Sequence, residues 1–121
     1  MVKINKPISE VFAFTLNPLN TSRWVDSIVK EEVNERPTKL GTIYRNVDKG
    51  GKWSTYTISS FEVNKLFVFT SEDKNYHCRY TLTSIDENTT ELEYYEWMDK
   101  GELEGPFTLD ILEKLKTILE D

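Results

Sequence analysis

Few side chains here suit proton transfer near neutral pH or nucleophilic attack, and strand alternation tests each of them. His77 is the only histidine and Cys78 the only cysteine. Histidine is the side chain best matched to proton transfer at physiological pH, and cysteine attacks only as a thiolate. Around them the chain alternates: Tyr76, Cys78, Tyr80 and Leu82 on one side, His77, Arg79, Thr81 and Thr83 on the other. The first set is apolar and belongs toward a core, which predicts an inert, solvent-facing His77 and a buried, hydrophobic Cys78. Adjacent strand residues point to opposite faces, so these two do not share a metal. Nothing else supplies the spaced Cys and His ligands of a zinc site. Gly50-Gly51 precedes a strand instead of a helix N-terminus and is not a phosphate loop. No metal or cofactor is expected.

A carboxylate is the remaining catalytic candidate. Leu92, Tyr94, Glu96 and Met98 share one strand face, so an inward Leu92 and Tyr94 bring Glu96 inward too. Such a carboxylate is costly unless paired, which is why it can mark a site. Arg45, on the parity of Ile43 and Val47, is the partner that alternation offers. The simpler expectation is a one-residue bulge that turns Glu96 outward among Glu91, Glu93 and Asp99. The rings Trp53, Tyr56, Phe61, Phe67, Phe69, Tyr76, Tyr80 and Tyr94 are expected in the core or around a cavity, where a tyrosine hydroxyl needs a partner. Phe67 and Phe69 interleave with Leu66 and Val68, so parity leaves that strand's inner face open.

These residues must be positioned by a sheet and a helix. Gly105–Asp121 carries Phe107, Ile111, Leu112, Leu115, Ile118 and Leu119 at steps of three and four, one apolar stripe of a helix. Gly105 serves as its N-cap, Pro106 as its first residue, and Asp110 and Lys114 pair on the wet face. A short first strand at Val2–Ile4 precedes a helix with Pro7 at its first position and Ile8, Val11, Phe12, Thr15 and Leu16 on one face. Asn17-Pro18 ends it, and a second short helix follows to Trp24. Six alternating stretches then run from Val25 to Met98, broken by turns at Arg36-Pro37, Asp48–Gly51, Asn64-Lys65, Asp73–Asn75 and Asp86–Asn88. The order is strand, two short helices, six strands in an antiparallel meander, and one long helix.

Composition bounds the function. The 121 residues, 38% hydrophobic, suit a single domain over 1–121 with a real core. A net charge of −6 with scattered basic residues argues against nucleic acid. No run approaches the roughly 20 apolar residues of a membrane span. The N-terminal stretch has no export-signal pattern, and a lone cysteine suits a reducing compartment, so a cytoplasmic location is expected.

Ile4, Pro7, Val11 and Phe12, then Trp24, Gly41 and Gly105-Pro106, set in that order of elements, resemble the START-related (SRPBCC) superfamily in its polyketide cyclase/dehydrase-like branch. The resemblance spans nearly the whole chain. It implies an α+β helix-grip fold, with a curved antiparallel sheet of about seven strands around the C-terminal helix and two short helices between strands one and two. It also implies a cavity between sheet and long helix for a small hydrophobic or amphipathic molecule, with Trp24 as a packing anchor. Combined with the parity above, the expected lining is Tyr56, Phe69, Tyr80, Tyr94, Arg45, Glu96, Leu112 and Leu115. A non-catalytic binder leads. A cyclase- or dehydratase-like enzyme using Glu96 and a tyrosine, and a co-chaperone-like interaction module using Tyr95 and Trp97, are the alternatives. A polar-lined cavity favours the enzyme, a dry one the binder and a filled one the interaction module.

Overall fold

The computed structural model describes residues 1–103 and 108–121. Its seven strands are β1 (Val2–Ile4), β2 (Ile28–Val33), β3 (Ile43–Asp48), β4 (Trp53–Glu62), β5 (Leu66–Ser71), β6 (Tyr76–Asp86) and β7 (Thr89–Met98). They form one curved antiparallel sheet in the order β1-β7-β6-β5-β4-β3-β2. Helices α1 (Ile8–Leu16) and α2 (Pro18–Trp24) lie between β1 and β2, and α3 (Leu109–Glu120) follows β7. This is the α+β helix-grip arrangement expected from the order of elements.

Local chemistry accounts for the punctuation. Pro7 is the extended residue before α1 instead of its first helical one. Asn17 joins the two short helices: its backbone N–H donates to the Ala13 and Phe14 carbonyls, and its side chain accepts from Leu19 N at 3.0 Å. Pro18, which has no N–H to lose, opens α2. In the β3–β4 turn the Asp48 carboxylate accepts from Gly50 N at 2.9 Å and Lys52 N at 3.0 Å. Gly51 supplies a φ of +84° there, a conformation that costs glycine little.

α3 begins at Leu109 behind Thr108. The expected roles of Gly105, Pro106 and Phe107 lie outside the described residues. Leu112, Leu115 and Leu119 are buried in one core with Val2, Ile4, Val11 and Leu92. Tertiary ties hold the helix in place, among them Lys116 Nζ donating to the Lys3 carbonyl at 2.6 Å. Glu120 accepts from Asn5 N at 2.7 Å, and Lys114 pairs with Asp26, in the loop after α2. The expected surface pair of Lys114 with Asp110 is thus replaced by a tertiary one. Beneath α1, Phe12 meets Phe61 and Phe67 edge-on at 5.6 and 5.7 Å.

Candidate functional site

Strand register decides which rings face inward. β6 and β7 pair Leu82 with Leu92, Tyr80 with Tyr94 and Cys78 with Glu96, and the only irregularity lies at the far end, between Ser84 and Asp86. The bulge expected at Glu96 is therefore absent, and Glu96 lies on the inner face. Its charge is accommodated by Tyr76, whose hydroxyl donates to Glu96 Oε2 at 2.6 Å and sits 3.3 Å from the Tyr94 hydroxyl. β5 sets Phe67 opposite Tyr80 and Phe69 opposite Cys78, which settles its inner face in favour of the two phenylalanines. Tyr80 anchors this wall: Phe67 stacks on it at 4.5 Å, and Tyr94 and Trp24 meet it edge-on at 4.9 and 6.2 Å.

β3 runs in the opposite parity to that expected. Tyr44, only 1% exposed, and Asn46 face inward, while Ile43 and Arg45 face out. A phenol buries more surface than isoleucine, and the Tyr44 hydroxyl donates to the Leu16 carbonyl at 2.6 Å, satisfying an acceptor at the end of α1. Arg45 is thereby removed from the site and from Glu96; its guanidinium lies 4.9 Å over the Trp53 ring on the outer face. Trp53, expected among core or cavity rings, is 42% exposed.

Between α2, β2 and the inner face of the sheet lies a concavity of about 380 Å³. Tyr56, Phe69, Tyr80 and Tyr94, all expected there, line it, joined by Tyr44 and Tyr76. Trp24 and Val25 close the helical side, and Ile28 and Glu31 the β2 side. Glu96 stands behind Tyr76. Leu112 and Leu115 do not line it, nor does any other described residue of α3, because the leucine stripe is packed into the core beside β1. The hollow thus lies between the sheet and α2–β2, not against the long helix where the resemblance led one to expect a cavity. Trp24 proves to be anchor and wall together.

The residue that alternation failed to single out is Glu31. A bulge between Ile28 and Lys30 puts Ile28 and Glu31 on the same inner face, with Glu31 opposite Asn46. Its carboxylate accepts from the Thr21 hydroxyl at 2.6 Å and Asn46 Nδ2 at 3.2 Å. Burial raises its pKa, and those two hydrogen bonds only partly offset the rise. The available signal was a charge between Val29 and Val33; the bulge that aims it left no mark in the pattern.

Burial also raises the pKa values of Tyr56, Tyr76, Tyr80 and Tyr94, and pushes Tyr44 and Cys78 each up to about 12. Near neutral pH the lining therefore presents neutral phenols and a neutral thiol, which rules out a resting thiolate nucleophile at Cys78.

On the other face of the sheet His77 has the expected direction but not the expected freedom. Its side chain is 15% exposed. The ring stacks on Trp97 at 4.9 Å, with Nδ1 2.9 Å from the Thr70 hydroxyl and Nε2 3.1 Å from Asp99 Oδ2. Tyr95, 53% exposed, continues the stack beyond Trp97 at 5.7 Å. Among the described residues no three His, Cys, Asp or Glu side chains are grouped to hold a metal, and no helix is long and apolar enough to cross a membrane.

A curved antiparallel sheet against a C-terminal helix, with two short helices before the second strand, is a helix-grip architecture. The chain belongs to the family described as polyketide cyclase/dehydrase and lipid transport, which matches residues 1–119. No curated protein matches the sequence. Similar solved structures include XoxI from Bacillus cereus, with a TM-score of 0.73 at 13% identity over 99% of this chain and 92% of that one. An uncharacterised protein from Bacillus thuringiensis gives 0.72 at 13% identity, over 99% and 96% of the two chains. The Aha1 dimer from Colwellia psychrerythraea gives 0.68 at 11% identity, over 98% and 92%. At these identities the likeness is one of fold.

Proposed function

We propose that the protein binds a small amphipathic molecule in the concavity between α2, β2 and the sheet. The observation that carries this reading is the convergence of Tyr44, Tyr56, Phe69, Tyr76, Tyr80 and Tyr94 on one hollow. At about 380 Å³, the hollow falls low in the range of about 300–1,000 Å³ typical of ligand sites. Rings give the ligand apolar area, and their hydroxyls orient its polar groups. Membership in a family described by cyclase, dehydrase and lipid-transport activities supports the same reading.

The test is a thermal-shift screen of flat aromatic polyketides, sterols and fatty acids, paired with native mass spectrometry of the purified protein. A true ligand at a hundredfold excess over its Kd stabilises the fold by about 2.7 kcal/mol. Tyr94→Ala is expected to weaken any hit at least tenfold. A screen without a single stabilising compound and a spectrum without a bound molecule would sink the proposal.

Turnover is the second reading. It is favoured by Glu31, a half-buried carboxyl facing the hollow whose pKa is raised toward the range of acid–base work, and by the Tyr76–Glu96 pair behind the wall. If Glu31→Gln or Glu96→Gln abolishes conversion of a hit while binding persists, the enzyme reading replaces the binder.

A further inference from the structure

The charge of the hollow is one-sided. Among the described residues its lining contains two carboxylates, Glu31 and Asp48, and no lysine, arginine or histidine. Lys114, whose ammonium reaches the loop between Trp24 and Ile28, is already paired with Asp26. Arg45, the one cation that alternation offered to the site, stacks on Trp53 outside. A ligand carboxylate placed beside Glu31 would meet a like charge and neutral phenols, with no cation in the lining to offset the loss of water. An ammonium placed there gains a direct counter-ion. It also lies among electron-rich rings, whose faces attract cations within about 6 Å of the ring centroid.

We propose that the hollow selects cationic amphiphiles over anionic ones: a primary or secondary amine on a compact aromatic body, its ammonium at Glu31 and its rings among Tyr56, Phe69, Tyr80 and Tyr94. The proposal rests on the binding reading above and adds the sign of the ligand's charge. Glu31 suits the role because its two hydrogen bonds, from Thr21 and Asn46, hold the carboxylate in place without neutralising it. Both donors are uncharged, so the counter-charge remains to be supplied. Asp48, at the end of β3 and two residues beyond Asn46, the register partner of Glu31, has the same sign and reinforces the preference.

Three probes of nearly equal shape isolate the charge: naphthylethylamine, naphthylethanol and naphthylacetic acid, titrated by calorimetry into the full chain near neutral pH. The amine is expected to bind at least tenfold tighter than the acid, with the alcohol between them. In Glu31→Gln the ratio of amine to acid is expected to fall below threefold. An acid that binds as tightly as the amine, beside an alcohol that also binds, overturns the charge preference and leaves the binding reading standing. A ratio unchanged in Glu31→Gln overturns the assignment to Glu31. If none of the three binds, this inference falls, and the wider screen judges the binding reading by itself. Should Glu31→Gln fail to fold, the wild-type series alone still decides between the signs.

Discussion

The two ends of the sheet's inner face solve the same problem in opposite ways. Toward β1 and α3 the space is filled by aliphatic side chains: Ile4, Leu92 and Leu115 are wholly buried, with Val11, Leu112 and Leu119 around them. Toward β2 and β3 the side chains are as large but polar at their tips, and three of those tips are held by hydrogen bonds. Tyr44 reaches the Leu16 carbonyl, Glu31 meets Thr21 and Asn46, and Tyr76 meets Glu96. Aliphatic chains pack until no void remains. Rings whose tips are tethered cannot collapse onto one another, and a hollow survives. The filled end supplies stability and the tethered end supplies a site.

The largest blow to this division is Leu115→Ala. It opens a void at the filled end and is expected to lower stability by about 2–5 kcal/mol, measured by urea denaturation. A midpoint unchanged by that substitution would deny α3 its place in the core. Next is Tyr44→Phe, which keeps the ring but strands the Leu16 carbonyl. A loss of about 1–3 kcal/mol is expected for leaving a buried acceptor without its donor. A loss under 0.5 kcal/mol, or about a twofold change in equilibrium, would mean that water replaces the tether and that the hollow does not depend on it.

The smallest effect is one of pH. Because burial raises the Glu31 pKa, the folded protein holds that proton more tightly than the unfolded chain does. The favourable contribution is complete below the unfolded value, near 4.5, and is lost as pH rises through the raised folded value. Stability of wild type relative to Glu31→Gln should therefore fall as pH climbs from about 4.5, by at most about 1.4 kcal/mol per pH unit for one proton. A difference that is flat across that range, followed by thermal melts, would show that Glu31 is as well solvated folded as unfolded.

Much of the filled end is legible in the sequence. The three- and four-residue steps of Leu112, Leu115 and Leu119 name their buried face without help from the rest of the chain, and so does the alternation of Tyr76, Cys78, Tyr80 and Leu82, which runs from the hollow into the filled core. The tethered end is less legible because bulges reset parity there. The irregularity between Ile28 and Lys30 aims Glu31 inward, and that between Ile58 and Ser60 lets Tyr56, Ile58 and Phe61 share one side. In β3, where Ile43 and Tyr44 are both apolar, alternation has no basis for choosing between them. The choice falls to Tyr44 through a hydrogen bond to Leu16, 28 positions away. At Glu96 the pattern itself was sound, and the bulge invoked against it was unnecessary because Tyr76 on the neighbouring strand already supplied a partner. His77 shows the remaining gap: parity tells which face a side chain takes, while a neighbouring indole decides how much water it keeps.

The strand order has a consequence for the time course of folding. From β2 to β7 every pairing joins consecutive strands, so each hairpin can close as soon as its own turn and second strand exist. β1 is different: Val2 lies opposite Leu92 and Ile4 opposite Thr90, almost the whole chain away. Of the seven strands, β1 is therefore the one whose pairing spans the greatest length of chain. Until that pairing forms, Val2 and Ile4, destined for complete or nearly complete burial, have no sheet to enter. β1 completes an edge that the meander can build without it, and α3, tied through Glu120 to Asn5, packs beside that edge.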